Sequence, residues 1–172
     1  MTIVPDTKDW TWVLDRPCEQ CGFDADAFVP GEVAGRIRVN AAAWPAVLGR
    51  ADVAVRPSPD VWSALEYAAH VRDVLRLFEY RVALMLDVDD PSFPNWDGDA
   101  VAVSERYGEQ DPAGVSADLQ DAALAYARLL DAVPEDGWSR TGRRGDGATF
   151  TVASLARYSV HDPVHHLWDV RA

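Results

Sequence analysis

The feature that most constrains the fold is a long apolar stripe with helical spacing between residues 60 and 86. Apolar side chains recur there at intervals of three and four residues, as in a helix that buries one face. Ser58 or Asp60 is the expected N-cap of this helix. The stripe consists of Val61, Ala64, Leu65, Ala68, Val71, Leu75, Phe78, Val82, Met85 and Leu86. Its length, about seven turns, predicts a core helix of a bundle.

Three further segments with the same spacing complete a set of four helices. The first lies within residues 30–49, the third within 112–134, and the fourth begins at 149–151 and continues to the C-terminus. Residues 87–112 form a long connection with little regular pattern, and no convincing strand alternation is found. The predicted fold class is all-α, a four-helix bundle with a long crossover connection between helices 2 and 3.

The chain of 172 residues, 48% of them apolar, predicts one domain over residues 24–172. Residues 1–23 are interpreted as an N-terminal extension that packs on the body, because this segment is rich in tryptophan and ends in a C-x-x-C turn. The two cysteines of that turn, Cys18 and Cys21, are inert thiols, a redox pair or half of a metal site.

Charge excludes some classes of partner. The net charge is -12 and the sequence pI about 4.6, so the protein repels nucleic-acid phosphates and anionic lipids. No stretch reaches the roughly 18 apolar residues of a membrane span, and no secretory leader is found. We therefore expect a cytoplasmic protein, monomeric or homodimeric, whose partners are small molecules.

The four histidines occupy only two stretches of the chain. His70 lies on the second helix, and the other three lie near the C-terminus. His161 and His165 are four residues apart, which places their side chains on one helix face, whereas His166 points about 140° away from His161. Because a bundle can bring two helices to one metal ion, the predicted ligands are His70, His161 and His165. Pro163, between the paired histidines, predicts a kink or restart of the last helix.

Two other interpretations of these residues remain open. His70 could be a histidine at the core margin, hydrogen-bonded to Glu66 or Asp73. Alternatively, a structural Cys2His2 zinc site could form across the chain and leave His70 without a metal-binding role. Its donors would be Cys18, Cys21, His161 and His165.

The ending His161-Asp-Pro-Val-His-His-Leu-Trp-Asp-Val170, after a long helix with the single His70, resembles the DinB-like superfamily of metal-dependent four-helix-bundle proteins. The resemblance covers about residues 30–172. It implies a divalent metal ion, zinc or nickel, on one histidine of the second helix and an H-x-x-x-H pair of the last, which map onto His70, His161 and His165. Actinobacterial relatives include mycothiol-dependent maleylpyruvate isomerase, in which a glutamate stands where this chain has His161.

The resemblance further implies a thiol-dependent S-transferase or isomerase that uses mycothiol and an electrophilic substrate. A non-catalytic metal-binding or stress-response protein is the alternative. We expect Glu66 and Asp162 to accept hydrogen bonds from the ligand imidazoles. The expected substrate-binding residues are Trp96, Arg106, Tyr107 and Arg143.

Overall fold

The computed structural model describes residues 9–171 and is dominated by helices. The short helices are α1 (Val33–Ala41), α2 (Trp44–Leu48) and α4 (Gly98–Ser104). The long ones are α3 (Ala64–Asp87), α5 (Pro112–Asp131) and α6 (Val152–Asp169). Both α1 and α3 pack against α5 and α6, so these four helices enclose one apolar core. The predicted four-helix bundle is confirmed.

Local capping explains where the long helices begin. The side chain of Ser63 accepts from the backbone N–H of Glu66, and the Glu66 carboxylate accepts from the backbone N–H of Ser63, which together form a capping box at α3. The expected N-cap at Ser58 or Asp60 was therefore a few residues early. Asp111 caps α5 and Thr151 caps α6, and both are residue types favoured at N-caps.

Two proline positions differ from expectation. The first predicted helix is divided into α1 and α2, because Pro45 has no N–H and is accommodated in the first turn of a new helix. Pro163, in contrast, lies inside a continuous α6. Its carbonyl oxygen accepts a hydrogen bond of 2.9 Å from Asn40 Nδ2, which anchors α6 to α1. The helix therefore does not restart at Pro163.

A small sheet corrects the expectation of an all-helical chain. β1 (Ser92–Phe93) pairs in parallel with β2 (Thr141–Arg144), and β2 pairs in antiparallel with β3 (Thr149–Thr151). β1 and β2 lie in segments between the predicted helices, and β3 lies where the fourth helix was predicted to begin. All three are too short to show an alternating pattern. The connection between α3 and α5 therefore contains both β1 and α4.

The described part of the N-terminal extension lies on α6. A single 3-10 turn, Thr11–Leu14, contacts that helix, and its Val13 side chain is fully buried. The following C-x-x-C segment is also packed, with Cys18 buried in the main core cluster. Residues 1–8 of the predicted extension lie outside the described residues. Within residues 9–171, no helix combines the length and apolar character that crossing a membrane requires.

Candidate metal centres

A cavity of about 710 Å³ opens between α3, α6, the extension and the connection that contains α4. Its size is within the range of small-molecule sites in proteins. His70 from α3 and Asp162 and His166 from α6 line it, together with Trp62, Trp96 and Arg81. All four histidines of the chain border this space. The histidines nevertheless separate into two groups of potential metal ligands.

The first group, here called the aspartate group, consists of His70, Asp162 and His166. One ligand atom from each residue lies within 4.8 Å of the others. Nε2 of His70 is 3.3 Å from Oδ2 of Asp162, and Nε2 of His166 is 3.7 Å from Oδ1. Two imidazoles therefore face one carboxylate across the interface between α3 and α6.

The charge of Asp162 suits a cation. Burial would raise the pKa of Asp162, but His70 and His166 more than offset this, and the pKa lies well below its ordinary value. The side chain retains 32% exposure, yet its Oδ1 is buried and makes no hydrogen bond. The carboxylate is therefore ionised and has an unused acceptor beside two imidazoles.

Surrounding groups hold the imidazoles of the aspartate group in place. Nδ1 of His166 lies 2.9 Å from the carboxylate of Asp169, which leaves Nε2 facing Asp162. His70 is packed between the rings of Trp62 and Trp96, with centroid separations of 5.1 and 5.2 Å. Gly98 approaches His70 so closely that an added Cβ would lie 2.7 Å from its Cε1.

The second group, here called the cysteine group, consists of Cys18, Cys21, His161 and His165. One ligand atom from each lies within 4.8 Å of the other three. Sγ of Cys18 is 3.7 Å from Nδ1 of His165, and Nε2 of His165 lies 3.9 Å from Oδ1 of Asp169. Asp169 therefore contacts one histidine from each group.

Burial keeps His161 and Cys21 of the cysteine group uncharged in the absence of a cation. It lowers the pKa of His161 to about 4, and the neighbouring His165 acts in the same direction. The His161 imidazole is therefore neutral near pH 7, and its Nε2 is buried without a hydrogen-bond partner. Burial also raises the pKa of the Cys21 thiol to about 11.

The structure divides the predicted ligand trio. His161 and His165 lie with the cysteines, and His70 lies with Asp162 and His166, so the trio does not form a single group among the described residues. The reason is helix rotation, because consecutive residues point about 100° apart. His161 and His165 of α6 face the extension. Asp162 and His166, each one position further along, face α3. His166, which the sequence analysis set aside, therefore lies beside His70, with ring centroids 5.0 Å apart.

The other predicted residues are more dispersed. Trp96 lines the cavity, but Arg106, Tyr107 and Arg143 do not. The reason lies in their partners. Arg106 is exposed and pairs with Glu109, Arg143 pairs with Asp90, and the buried Tyr107 donates to Asp73 at 2.6 Å. Glu66, expected beside an imidazole, instead caps α3 and binds Arg56, whereas Asp162 does contact His70.

Sequence reasoning missed Arg81, which lines the cavity together with Arg144. Burial lowers the pKa of Arg81 to about 10, and the like charge of Arg144 adds to the effect. Among the described residues, Arg81 forms no ion pair with a carboxylate. Its Nη2 donates to the carbonyl of Pro94 at 2.8 Å, and its Nε is buried without a hydrogen bond. The signal in the sequence was an arginine next to the inner positions Phe78 and Val82 of α3.

The residues of the aspartate group fit a divalent metal ion. Two imidazoles and one ionised carboxylate are an established ligand set for zinc and for other transition metals. The orphaned Oδ1 of Asp162 would gain a partner on binding. The contact between His166 and Asp169 supplies the outer acceptor that ligand histidines usually have.

Comparison with known proteins agrees with this fold. The family model of the DinB superfamily matches residues 37–170. A solved structure is similar over 90% of both chains, with a TM-score of 0.69 and 18% sequence identity. It is YfiT from Bacillus subtilis, described as a probable metal-dependent hydrolase with an unusual four-helix bundle topology. No curated protein matches the chain.

Proposed function

Because the chain belongs to the DinB superfamily and has two histidines and an aspartate beside a cavity, we propose that it is a divalent-metal-dependent enzyme. The metal ligands in this proposal are His70, Asp162 and His166. The observation that supports it is their clustering at the wall of a 710 Å³ cavity. This assignment replaces His161 and His165 of the predicted trio. Asp162 and His166 form a D-x-x-x-H pair one residue further along than the predicted H-x-x-x-H pair. In this assignment Asp162, and not His161, corresponds to the glutamate of the isomerase relative.

A zinc or nickel ion bound there would polarise a substrate oxygen or lower the pKa of a thiol or water, which produces a nucleophile at neutral pH. The protein residues orient its ligands and exclude water. Asp169 fixes the ring of His166, and Trp62 and Trp96 enclose the ring of His70. Tyr67 covers His166, with ring centroids 4.8 Å apart.

The substrate class follows from the charge of the cavity wall. Arg81 is a buried cation without a carboxylate partner among the described residues, and the cavity borders it. A buried guanidinium of this kind binds a carboxylate or phosphate of a ligand strongly. We therefore assign Arg81 to binding an anionic group of a small electrophilic substrate.

For the reaction, we propose attack by a low-molecular-weight thiol of the mycothiol type. In S-transfer, the thiol sulfur bonds to the electrophilic carbon, the leaving group departs with the bonding electron pair, and the thiol proton passes to solvent. In isomerisation, the same sulfur adds reversibly and is later expelled. Both reactions suit the reducing cytoplasm, where we propose that the protein acts.

Metal-dependent hydrolysis is the second candidate, because the similar YfiT fold is described as that of a probable hydrolase. The test is turnover by protein of known metal content, measured on a panel of anionic electrophiles and esters with and without thiol. Thiol-dependent product formation supports transfer or isomerisation, and thiol-independent cleavage supports hydrolysis. Metal-loaded protein that turns over nothing on the panel would instead favour a non-catalytic metal-binding role.

A further inference from the structure

We propose that the cysteine group binds a structural zinc ion of its own, which ties the N-terminal extension to α6. This site is separate from the aspartate group and does not depend on the enzymatic function proposed above. Its donors are two sulfurs and two imidazole nitrogens, a common ligand set of structural zinc. The spacings C-x-x-C and H-x-x-x-H are both within the range of such sites.

The distances agree with tetrahedral coordination. With Zn–S near 2.3 Å and Zn–N near 2.0 Å, tetrahedral geometry separates sulfur and nitrogen by about 3.5 Å. Sγ of Cys18 and Nδ1 of His165 are 3.7 Å apart, although 147 positions separate the two residues in sequence. The donors of Cys21 and His161 lie within 4.8 Å of both. Only small side-chain movements are needed for one ion to contact all four.

The backbone of the C-x-x-C turn is already shaped to present both thiols. Gly22 has a φ of 72°, a left-handed conformation that glycine adopts readily. The turn is closed by hydrogen bonds from Gly22 N–H to Cys18 O at 2.9 Å and from Cys18 N–H to Phe23 O at 2.8 Å. The backbone N–H of Phe23 donates to the sulfur of Cys21. A metal-bound thiolate gains from this contact.

Burial indicates a structural role and not a catalytic one. Cys18 and His161 are only 2% and 5% exposed. The rings of Trp10 and Phe23 lie 5.2 and 5.3 Å from that of His161. A buried imidazole nitrogen without a hydrogen bond, such as Nε2 of His161, is costly unless it gains a partner. With four protein ligands, the site has no position for substrate.

The primary test compares the metal content and cobalt spectrum of the full chain with those of a double variant. Wild-type protein purified under reducing conditions should hold two metal equivalents, one for each group. Its cobalt form should show thiolate-to-cobalt charge-transfer absorption, because Cys18 and Cys21 supply sulfur. C18S/C21S should lose one equivalent and the whole of this absorption. If C18S/C21S retains the metal content of the wild type, the proposal is overturned.

Two neighbouring histidines provide a matched pair of variants. His165→Ala should remove the charge-transfer absorption and retain the equivalent bound by the aspartate group, and His166→Ala should do the reverse. Both truncate an imidazole on the same turn of α6, so a general loss of helix stability would affect them equally. Loss of the same equivalent in both variants would contradict two separate sites.

A measurement on the wild type covers the case in which the variants fail to fold. Zinc-loaded protein should react slowly with a thiol reagent, and complete modification of both cysteines should release one zinc ion per chain. Removal of zinc by a chelator should accelerate the reaction by at least about tenfold. Equal thiol reactivity before and after chelation, with no zinc released, would overturn the proposal.

Discussion

Two faces of α6 carry donor sets of different chemistry. The face toward the extension pairs histidine with buried cysteine, and the face toward α3 pairs histidine with an ionised aspartate at the cavity wall. The first set has four donors and the second has three, which leaves room for a substrate atom. The comparison teaches that the position of a histidine along a helix does not determine which ligands it joins. Its partners are determined by the element that packs against its face of the helix.

The largest expected effect comes from His166→Ala. We expect activity to fall by at least about a hundredfold, because loss of a direct ligand should exceed the 10- to 100-fold effects of changes to outer partners. Metal content of the aspartate group should fall in parallel, as measured by elemental analysis. His165→Ala is the control and should retain that metal. Retention of full activity in His166→Ala would end the assignment of His166 as a ligand.

Gly98→Ala tests the aspartate group without changing any of its three metal ligands. The new Cβ would lie 2.7 Å from Cε1 of His70 and 3.0 Å from the ring of Trp96, so His70 has to move. We expect metal affinity of the aspartate group to fall about 10- to 100-fold. The cobalt-thiolate absorption of the cysteine group should be unchanged. Gly31→Ala, where an added Cβ meets nothing within 4 Å, is the matched control.

Asp169→Asn changes the residue whose carboxylate lies near one histidine of each group. Its carboxylate contacts Nδ1 of His166 at 2.9 Å and lies 3.9 Å from Nε2 of His165. We expect metal affinity to fall by about tenfold or more at the aspartate group and less at the cysteine group, in order of these distances. Competition with a chromophoric chelator measures both. An equal loss at the two sites would indicate that Asp169 supports helix position and not the individual rings.

Glu66→Gln should have the smallest effect and leave both groups intact. Burial would raise the pKa of Glu66, but Arg56 and Ser63 outweigh it, so the pKa is lowered in the folded state. The ionised carboxylate therefore stabilises the fold above the unfolded pKa of about 4.3, and this contribution is lost as the pH falls further. We expect E66Q to lower the free energy of unfolding by about 1–3 kcal/mol at pH 7 and less near pH 3. Denaturant unfolding at both values, with metal content as the control, measures this.

The sequence was sufficient to predict the four-helix bundle, but it was not sufficient to predict which histidines lie together. The apolar stripe of α3 and the start of α5 at Pro112 depend on local spacing, and both are observed. Whether His161 or Asp162 faces His70 depends on a rotation of about 100° set by tertiary packing. Aspartates are also common in this acidic chain, so the sequence alone does not distinguish Asp162 as a metal ligand in the way that it distinguishes a scarce histidine.

The short strands were missed for a related reason. β1 has two residues and β3 three, so their pairing is decided by contacts distant in sequence, such as Ser92 with Arg143. The role of Tyr107 likewise depends on its partner Asp73, which lies 34 positions earlier. Local patterns carry no information about such partners.

The alternation of the two donor pairs along α6 affects how the chain can diverge. Both pairs lie on the same helix, so a one-residue insertion or deletion in the helix before them would rotate all four residues away from their present neighbours together. The remaining ligands, in contrast, come from separate segments: His70 from α3, and the thiols from the extension. A mutation in one of those segments would therefore change one donor set and leave the other intact.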